Sequence, residues 1–313
     1  MLNIYRTNKK DNKLEEVEDF KKGVWINLQN PTKEEIEKVC EKVNISEEFI
    51  RYCLDYEEQA RIDIEDDVVL VIIDTPVVES TKDGEVYSTM PLGMISVREE
   101  YFITVCLQKT QIITEFEKNS IKNVFSSKKT RLLLQILYKN ASLFLNYLKL
   151  INKRVEVTEK ALQKSMKNQE LIKMLNLEKS LVYFSTSLKS NEVVMEKILR
   201  GKIIKLYEED EDILEDVIVE NKQAIEMSKI YSDILSGTMD AYASIISNNL
   251  NIVMRFLASV TILLSIPTLI TGLMGMNVPI PFQNEEWYFY AIIGSSLIII
   301  GLVGWWLKKK DMF

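Results

Sequence analysis

The chain has 313 residues, with 39 Lys and Arg against 46 Asp and Glu, three Cys and no His. A net charge of −7 excludes a generally basic, nucleic-acid-coating protein, because phosphate binding needs clustered Lys and Arg. Without His there is no Ser-His triad, no HExxH zinc site and no imidazole general base, and no phosphate loop is visible, so no enzyme is expected. Cys40, Cys53 and Cys106 share no metal-ligand spacing and an odd number cannot all pair, so reduced thiols in cytosol-facing protein are expected.

In chain order, the N-terminus MLNIYRTNKKDN has no apolar core region, so no signal peptide is expected. Strand-like runs follow at 24–28, 68–73, 90–97 and 101–107. Between the first two, Asn30-Pro31 predicts one helix start, as a cap followed by proline at the first helical position, and Ser46 predicts another. This is the pattern of a small α/β domain. Then the punctuation stops: no proline lies between Pro91 and Pro267, and from Met94 to Thr271 the only glycines are Gly201 and Gly237. Long helices are predicted near 129–167, 169–200 and from 206 onward. Unbroken from Asp212 to Met274, the last would be ~95 Å long, a lever joining a soluble domain to a membrane span.

The mean hydropathy of −0.03 hides an uneven distribution of charge. Nothing is charged between Arg255 and Glu285, nor between Glu286 and Lys308. Residues 256–274 and 287–307 are each long enough to cross ~30 Å of hydrocarbon at ~1.5 Å per helical residue. The second run carries Trp287, Tyr288 and Tyr290 at one end and Trp305 and Trp306 at the other, as interface belts do. Arg255 precedes the first span and Lys308, Lys309 and Lys310 follow the second, while the loop between has Glu285 and Glu286 and no basic residue. The positive-inside rule then predicts a multi-pass protein of the cell membrane with both termini cytoplasmic. The expected division is an α/β domain over 1–127, long cytoplasmic helices with the stalk over 128–255, a first span over 256–274, an external loop over 275–286, a second span over 287–307 and a basic tail over 308–313.

Alternate steps of three and four from Asn251 pick out Met254, Ala258, Thr261, Ser265, Thr268, Gly272 and Gly275, all small or polar except Met254. The residues beside them are mostly large and apolar. Such a stripe fits a small-residue seam between membrane helices, or the wall of a water-filled path enclosed by several copies. Asn251, Thr261, Ser265 and Thr268 in succession favour the wall. One chain with two spans cannot enclose a path, so the wall requires a homo-oligomer. An acidic run, Glu208, Glu209, Asp210, Glu211, Asp212, Glu215, Asp216 and Glu220, holds no Lys or Arg. It fits the solvated start of a helix, or carboxylates that bind a cation against a neighbouring copy.

Gly275-Met276-Asn277 at the end of the first span, Pro267-Thr268-Leu269-Ile270 before it, a short acidic loop and a last span ending in lysines carry a family resemblance. Asp240-x-Tyr242, Ser247-Asn248, Trp25-Ile26-Asn27-Leu28-x-Asn30-Pro31-Thr32 and Asp55-x-Glu57-Glu58-x-x-Arg61 extend it over nearly the whole chain. The chain resembles the CorA family of magnesium channels. The resemblance implies a homopentameric funnel in the lipid bilayer, with an α/β cytoplasmic domain, a long-helix stalk and two C-terminal transmembrane helices. It implies a pore lined by the first span, with Gly275, Met276 and Asn277 as the filter and Gly275 and Asn277 as the metal-facing groups. Asn251, Leu257, Ser265 and Thr268 fall where the family lines or constricts its pore; Leu257 lies beside the stripe. It also points to Asp216, with Glu79 as partner, as a regulatory metal site between subunits. Met274 stands where the family usually has Tyr, and Val278-Pro279-Ile280-Pro281 replaces the common Met-Pro-Glu.

These features predict uptake of hydrated Mg²⁺, with Co²⁺ and Ni²⁺ as further cargo, Mg²⁺ as both transported and regulatory ion, no organic cofactor and no nucleic-acid partner. A divalent cation gains ~4.6 kcal/mol per 100 mV moving inward, so passive flow suffices. A zinc transporter of the same superfamily is the nearer alternative, and a membrane-anchored coiled-coil adaptor the remoter one.

Overall fold

The computed structural model describes residues 1–8, 11–81, 84–98, 100–165, 168–201, 203–204, 206–276, 285–310 and 312. They form two compact units, Met1–Gly237 and Thr238–Phe313. The first is built on seven strands: β1 (Leu2–Thr7), β2 (Leu14–Glu16), β3 (Trp25–Gln29), β4 (Arg61–Glu65), β5 (Val68–Thr81), β6 (Gly84–Val97) and β7 (Tyr101–Cys106). Their order in the sheet is β2-β1-β3-β7-β6-β5-β4. Only β3 and β7 pair in parallel, Trp25 opposite Phe102 and Gln29 opposite Cys106; the other neighbours are antiparallel.

Both faces of the sheet are covered, which explains why the central strands are apolar throughout rather than alternating. Ile26, Leu28, Leu70, Ile72, Ile95 and Ile103 pack with α1 (Lys33–Val43) and α2 (Glu47–Tyr52) through Ile36, Val39, Phe49 and Ile50. On the other face Trp25, Val71, Ile73, Leu92, Met94 and Phe102 meet α3 (Gln111–Glu117), α4 (Lys129–Ser165) and α5 (Asn168–Gly201). Each buried Leu, Ile or Phe in these layers contributes about 1.5–3 kcal/mol. Trp25 is fully buried, and its indole N–H donates to Thr104 Oγ1 at 2.9 Å.

The first helix does not begin at Asn30-Pro31. Asn30 is left-handed with φ 42°, Pro31 precedes the cap, and Thr32 is the N-cap. Thr32 Oγ1 accepts from the Glu35 amide at 3.3 Å, and the Thr32 amide donates to Glu35 Oε2 at 2.9 Å. This reciprocal pair satisfies two otherwise orphaned donors, which a proline at the first helical position would not. Ser46 caps α2 as expected.

β5 and β6 are 14 residues each, longer than the apolar runs that mark them. β4 begins with Arg61 opposite Ile72, and β7 ends with Cys106 opposite Leu92. Pro76 and Pro91 lie beyond those last pairs, where a missing N–H breaks no outer ladder. The peptide of Asp74 lies there too. Asn191 of α5 accepts from its N–H and donates to its C=O, both at 2.8 Å, and Asn140 of α4 donates to the same C=O at 2.8 Å. Two helix asparagines thus replace the absent strand.

α6 (Glu208–Met274) runs on through Gly237 and Pro267. In the first unit it presents Leu214, Val217, Asn221, Ala224 and Ser228, all buried, at helical spacing. Asn221 donates to Leu188 O at 2.9 Å and Ser228 to Leu181 O at 3.0 Å, which fixes α6 against α5.

Gly93 sits where a methyl group would overlap Cys53 Sγ. Gly93→Ala is expected to cost about 1–3 kcal/mol by overpacking. Thermal denaturation of the full chain checks this, and Cys53→Ala in the same background is expected to restore part of the loss.

Candidate ion path and regulatory surface

The second unit holds the end of α6 and α7 (Glu286–Lys309), both long and apolar enough to cross a membrane. On α6 the least exposed positions are Ser259, Val260, Leu263, Ile266, Pro267 and Ile270. Gly304 of α7 faces Leu263, and Ser259 Oγ lies within hydrogen-bond reach of Met312 O at 3.0 Å as well as of Arg255 O at 2.9 Å, so α7 and the tail lie on this side. The α7 counterparts are Ile292, Ser296, Ile300, Val303, Gly304 and Leu307, again at helical spacing.

The stripe lies on the opposite side. At 3.6 residues per turn its centre is about 180° from the α7-facing row. Asn251, Met254, Ala258, Thr261, Ser265, Thr268 and Gly272 are all exposed, as are Leu257, Gly275 and Met276. A shallow groove along this face is lined by Thr261, Leu264, Ser265, Thr268 and Leu269. The seam within the chain is therefore made by other residues, and the stripe is free for another copy or for water.

Its hydroxyls are oriented by the helix itself. Thr261 donates to Leu257 O at 2.8 Å, Ser265 to Ile262 O at 2.8 Å and Thr268 to Leu264 O at 2.9 Å. Each hydrogen is thereby committed to the backbone, and each oxygen offers its lone pairs outward. The face accepts hydrogen bonds and donates few. At the end of α6, the amides of Gly275 and Met276 bond back to Thr271 O at 2.9 Å and Leu273 O at 3.4 Å. Asn277, the remaining filter residue, lies outside the described residues.

The acidic run at the start of α6 is not uniformly solvated. Glu209 pairs with Arg131 of α4 at 2.9 Å, and Asp210 is buried and accepts from the Tyr207 amide at 3.4 Å. Arg131 is a partner that local charge counting along 208–220 does not find, because it comes from another helix. Glu211, Asp212, Glu215 and Asp216 are exposed. Glu79, also exposed on β5, accepts from Ser88 Oγ at 2.8 Å and from the Tyr56 hydroxyl at 3.3 Å. Among the described residues no three His, Cys, Asp or Glu side chains converge as a metal-binding group. Within one chain, then, Asp216 and Glu79 form no such group.

Ser259, fully buried, was not marked by the stripe because it faces the other way. It joins α6 to the C-terminal tail, where the Met312 amide also bonds back to Leu307 O at 3.2 Å.

Comparison with known proteins places the chain. A family model described as CorA-like Mg²⁺ transporter protein matches residues 20–309. The cobalt/magnesium transport protein CorA of Methanocaldococcus jannaschii is 29% identical over 300 residues, covering 92% of this chain and 91% of that one. The solved complete structure of the CorA magnesium transporter from the same organism superposes with a TM-score of 0.84 at 25% identity, covering 97% of this chain and 96% of that one. The full-length CmaX protein shares the fold, with a TM-score of 0.71 at 14% identity over 100% of this chain and 97% of that one.

A Cβ at Gly304 would already touch Leu263, so a longer side chain there has less room than at Gly301, which has open space where a side chain would stand. Gly304→Leu is expected to lower the melting temperature in detergent by several degrees, and Gly301→Leu to leave it nearly unchanged.

Proposed function

Since the chain belongs to the CorA family of ion transporters, we propose that it carries hydrated Mg²⁺ across a membrane along the Asn251–Gly272 stripe of several copies of α6. The observation that carries this reading is the orientation of Thr261, Ser265 and Thr268. All three turn away from α7 and present lone pairs rather than hydrogens. A hydrated cation presents the O–H bonds of its water shell, so an acceptor face is its natural complement. Mg²⁺ gives up its water reluctantly, and neutral oxygens hold the hydrated ion without trapping it.

One chain cannot surround such a path, so the functional unit is a homo-oligomer, and the family resemblance makes it a homopentamer. Asn277 amides and Gly275 carbonyls from each copy form the entrance filter, with Met276 between them. Asn251, Met254, Leu257, Ala258, Thr261, Ser265, Thr268 and Gly272 line the path beyond it. The membrane potential drives the ion inward, with both chain termini on the cytoplasmic side. A lining without His or Cys favours a hard cation over zinc, since no His occurs in the chain and all three Cys lie outside the second unit.

Regulation is proposed at the exposed carboxylates of α6. Asp216 is exposed, and among the described residues no three acidic, Cys or His side chains converge as a metal site, so the proposed site draws on a neighbouring copy. Bound Mg²⁺ there, with Glu79 or another acid of the next copy, offsets repulsion between like charges and holds the path closed. Loss of that cation loosens the ring.

Purified protein in liposomes provides the test, with Mg²⁺ entry followed by an internal dye. Asn277→Ala is expected to abolish entry while the oligomer survives on a sizing column; normal entry removes the filter assignment. Thr261→Val with Thr268→Val should reduce entry about tenfold or more, whereas Ile262→Ala on the flank should change it less than twofold. Equal effects from stripe and flank would count against a path on this face. For regulation, Asp216→Lys is expected to remove Mg²⁺-dependent protection of α6 from protease, and unchanged protection would return Asp216 to a solvated role.

A further inference from the structure

The basic end of α7 and a cation of α6 meet where the apolar segments of the second unit stop. Arg255 stands four residues before Ser259, so the two share a face of α6. Ser259 Oγ lies within hydrogen-bond reach of Met312 O at 3.0 Å, and the Met312 amide bonds back to Leu307 O at 3.2 Å. The tail is thereby folded against α6, one helical turn from Arg255. Lys308 and Lys309, the last residues of α7, and its C-cap Lys310 are all exposed, as is Arg255. Four cations from two helices therefore occupy one band at this end of the unit.

None of the four forms an ion pair among the described residues. Arg255 gives only its Nε hydrogen, to Asn251 O at 3.4 Å, and keeps its terminal N–H groups for another acceptor. Along the sequence the one neighbouring acid is Asp311, and on α6 the next is Asp240, about 22 Å before Arg255 at ~1.5 Å per residue. Lysines at the end of α7 also complement its dipole, but that role does not call for Arg255. Nor does it call for the aromatic pair beside them. Trp305 and Trp306 are 65% and 53% exposed, and Lys309 Nζ stands 5.6 Å from the centre of the Trp305 ring. Indoles settle between hydrocarbon and water at the headgroup level of a bilayer. The Lys309 ammonium is held at that level, where lipid phosphates lie, instead of reaching into water.

We propose that Arg255, Lys308, Lys309 and Lys310 form a docking surface for the phosphate of anionic lipid headgroups, with Trp305 and Trp306 against the adjoining acyl chains. A band of four cations beside a membrane helix is drawn to an anionic leaflet by its surface potential. Arg255 supplies a planar fork that suits phosphate, and the lysines supply compact point charges. A zwitterionic headgroup brings its own ammonium to the same band and gains less from it. Lipid held there bridges α6 and α7 at the end of the unit away from Gly275. The surface depends on α7 crossing the membrane and makes no use of the ion path.

Native mass spectrometry of the full chain in neutral detergent, titrated with phosphatidylglycerol or phosphatidylcholine, tests this without any ion flux. The wild type should bind phosphatidylglycerol about tenfold or more tighter, and the preference should shrink as ammonium acetate rises from about 0.1 M to about 1 M. Arg255→Gln with Lys308→Gln, Lys309→Gln and Lys310→Gln should bring the two lipids to equal affinity, and Lys309→Gln with Lys310→Gln alone should remove about threefold of the preference. Lys149→Gln with Lys160→Gln and Lys164→Gln, at three exposed positions of α4, should leave it unchanged. Inorganic phosphate should not displace the lipid, because it has no acyl chain to set against the indoles. Equal binding of both lipids by the wild type, a preference that survives the quadruple change or high salt, or an equal loss in the α4 variant would overturn the proposal. Displacement by inorganic phosphate would overturn it in favour of a free-anion site. A quadruple variant that leaves the wild-type position on a sizing column without added lipid would overturn it too, by placing these cations against a neighbouring copy.

Discussion

A hydroxyl group inside a membrane must give its hydrogen to something, and on α6 the helix backbone takes it. Thr261, Ser265 and Thr268 each close a short local bond to a carbonyl three or four residues earlier. This makes a polar stripe compatible with a helix that has few other charges or dipoles to satisfy it. The same bonds turn the oxygens outward. A path for a hydrated cation then needs no carboxylate, only enough copies of this face around one axis.

The rest of the second unit is arranged to leave that face free. Val260, Leu263, Ile266 and Ile270, on the side where Leu263 meets Gly304 of α7, lie half a turn away from the hydroxyls. Small residues stand on both sides: Gly304 lies opposite Leu263, whereas Ala258 and Gly272 keep the stripe low. A seam and a path can both be rich in small residues, and they are separated by direction around the helix rather than by composition.

In the first unit, polar side chains replace backbone that is missing. Asn191 and Asn140 stand in for a strand beside Asp74, and Asn221 and Ser228 tie α6 to carbonyls of α5. These bonds connect elements far apart in the chain, so no local pattern announces them. Local features were easier to read: the central strands follow from β-branched runs, and the long helices from the lack of Pro and Gly. β1, β2, β4 and α3 were not marked. β2 has three residues, β4 alternates charge with Ile at a sheet edge, and α3 has seven residues. None carries enough period to stand out from its surroundings. Thr32 in place of Asn30-Pro31 was decided by the reciprocal bond to Glu35, a choice between two plausible starts two residues apart.

The amino-acid sequence alone determined the two membrane-length runs, the stripe of small and polar residues, and the Gly275-Met276-Asn277 motif that carries the family resemblance. Each depends only on composition and period along one continuous segment. Tertiary structure decided which side of α6 the stripe faces, that Arg131 pairs with Glu209, and that asparagines of α4 and α5 hold the Asp74 peptide. Those are properties of side chains brought together from separate elements, and the net charge of −7 says nothing about which charges find a partner.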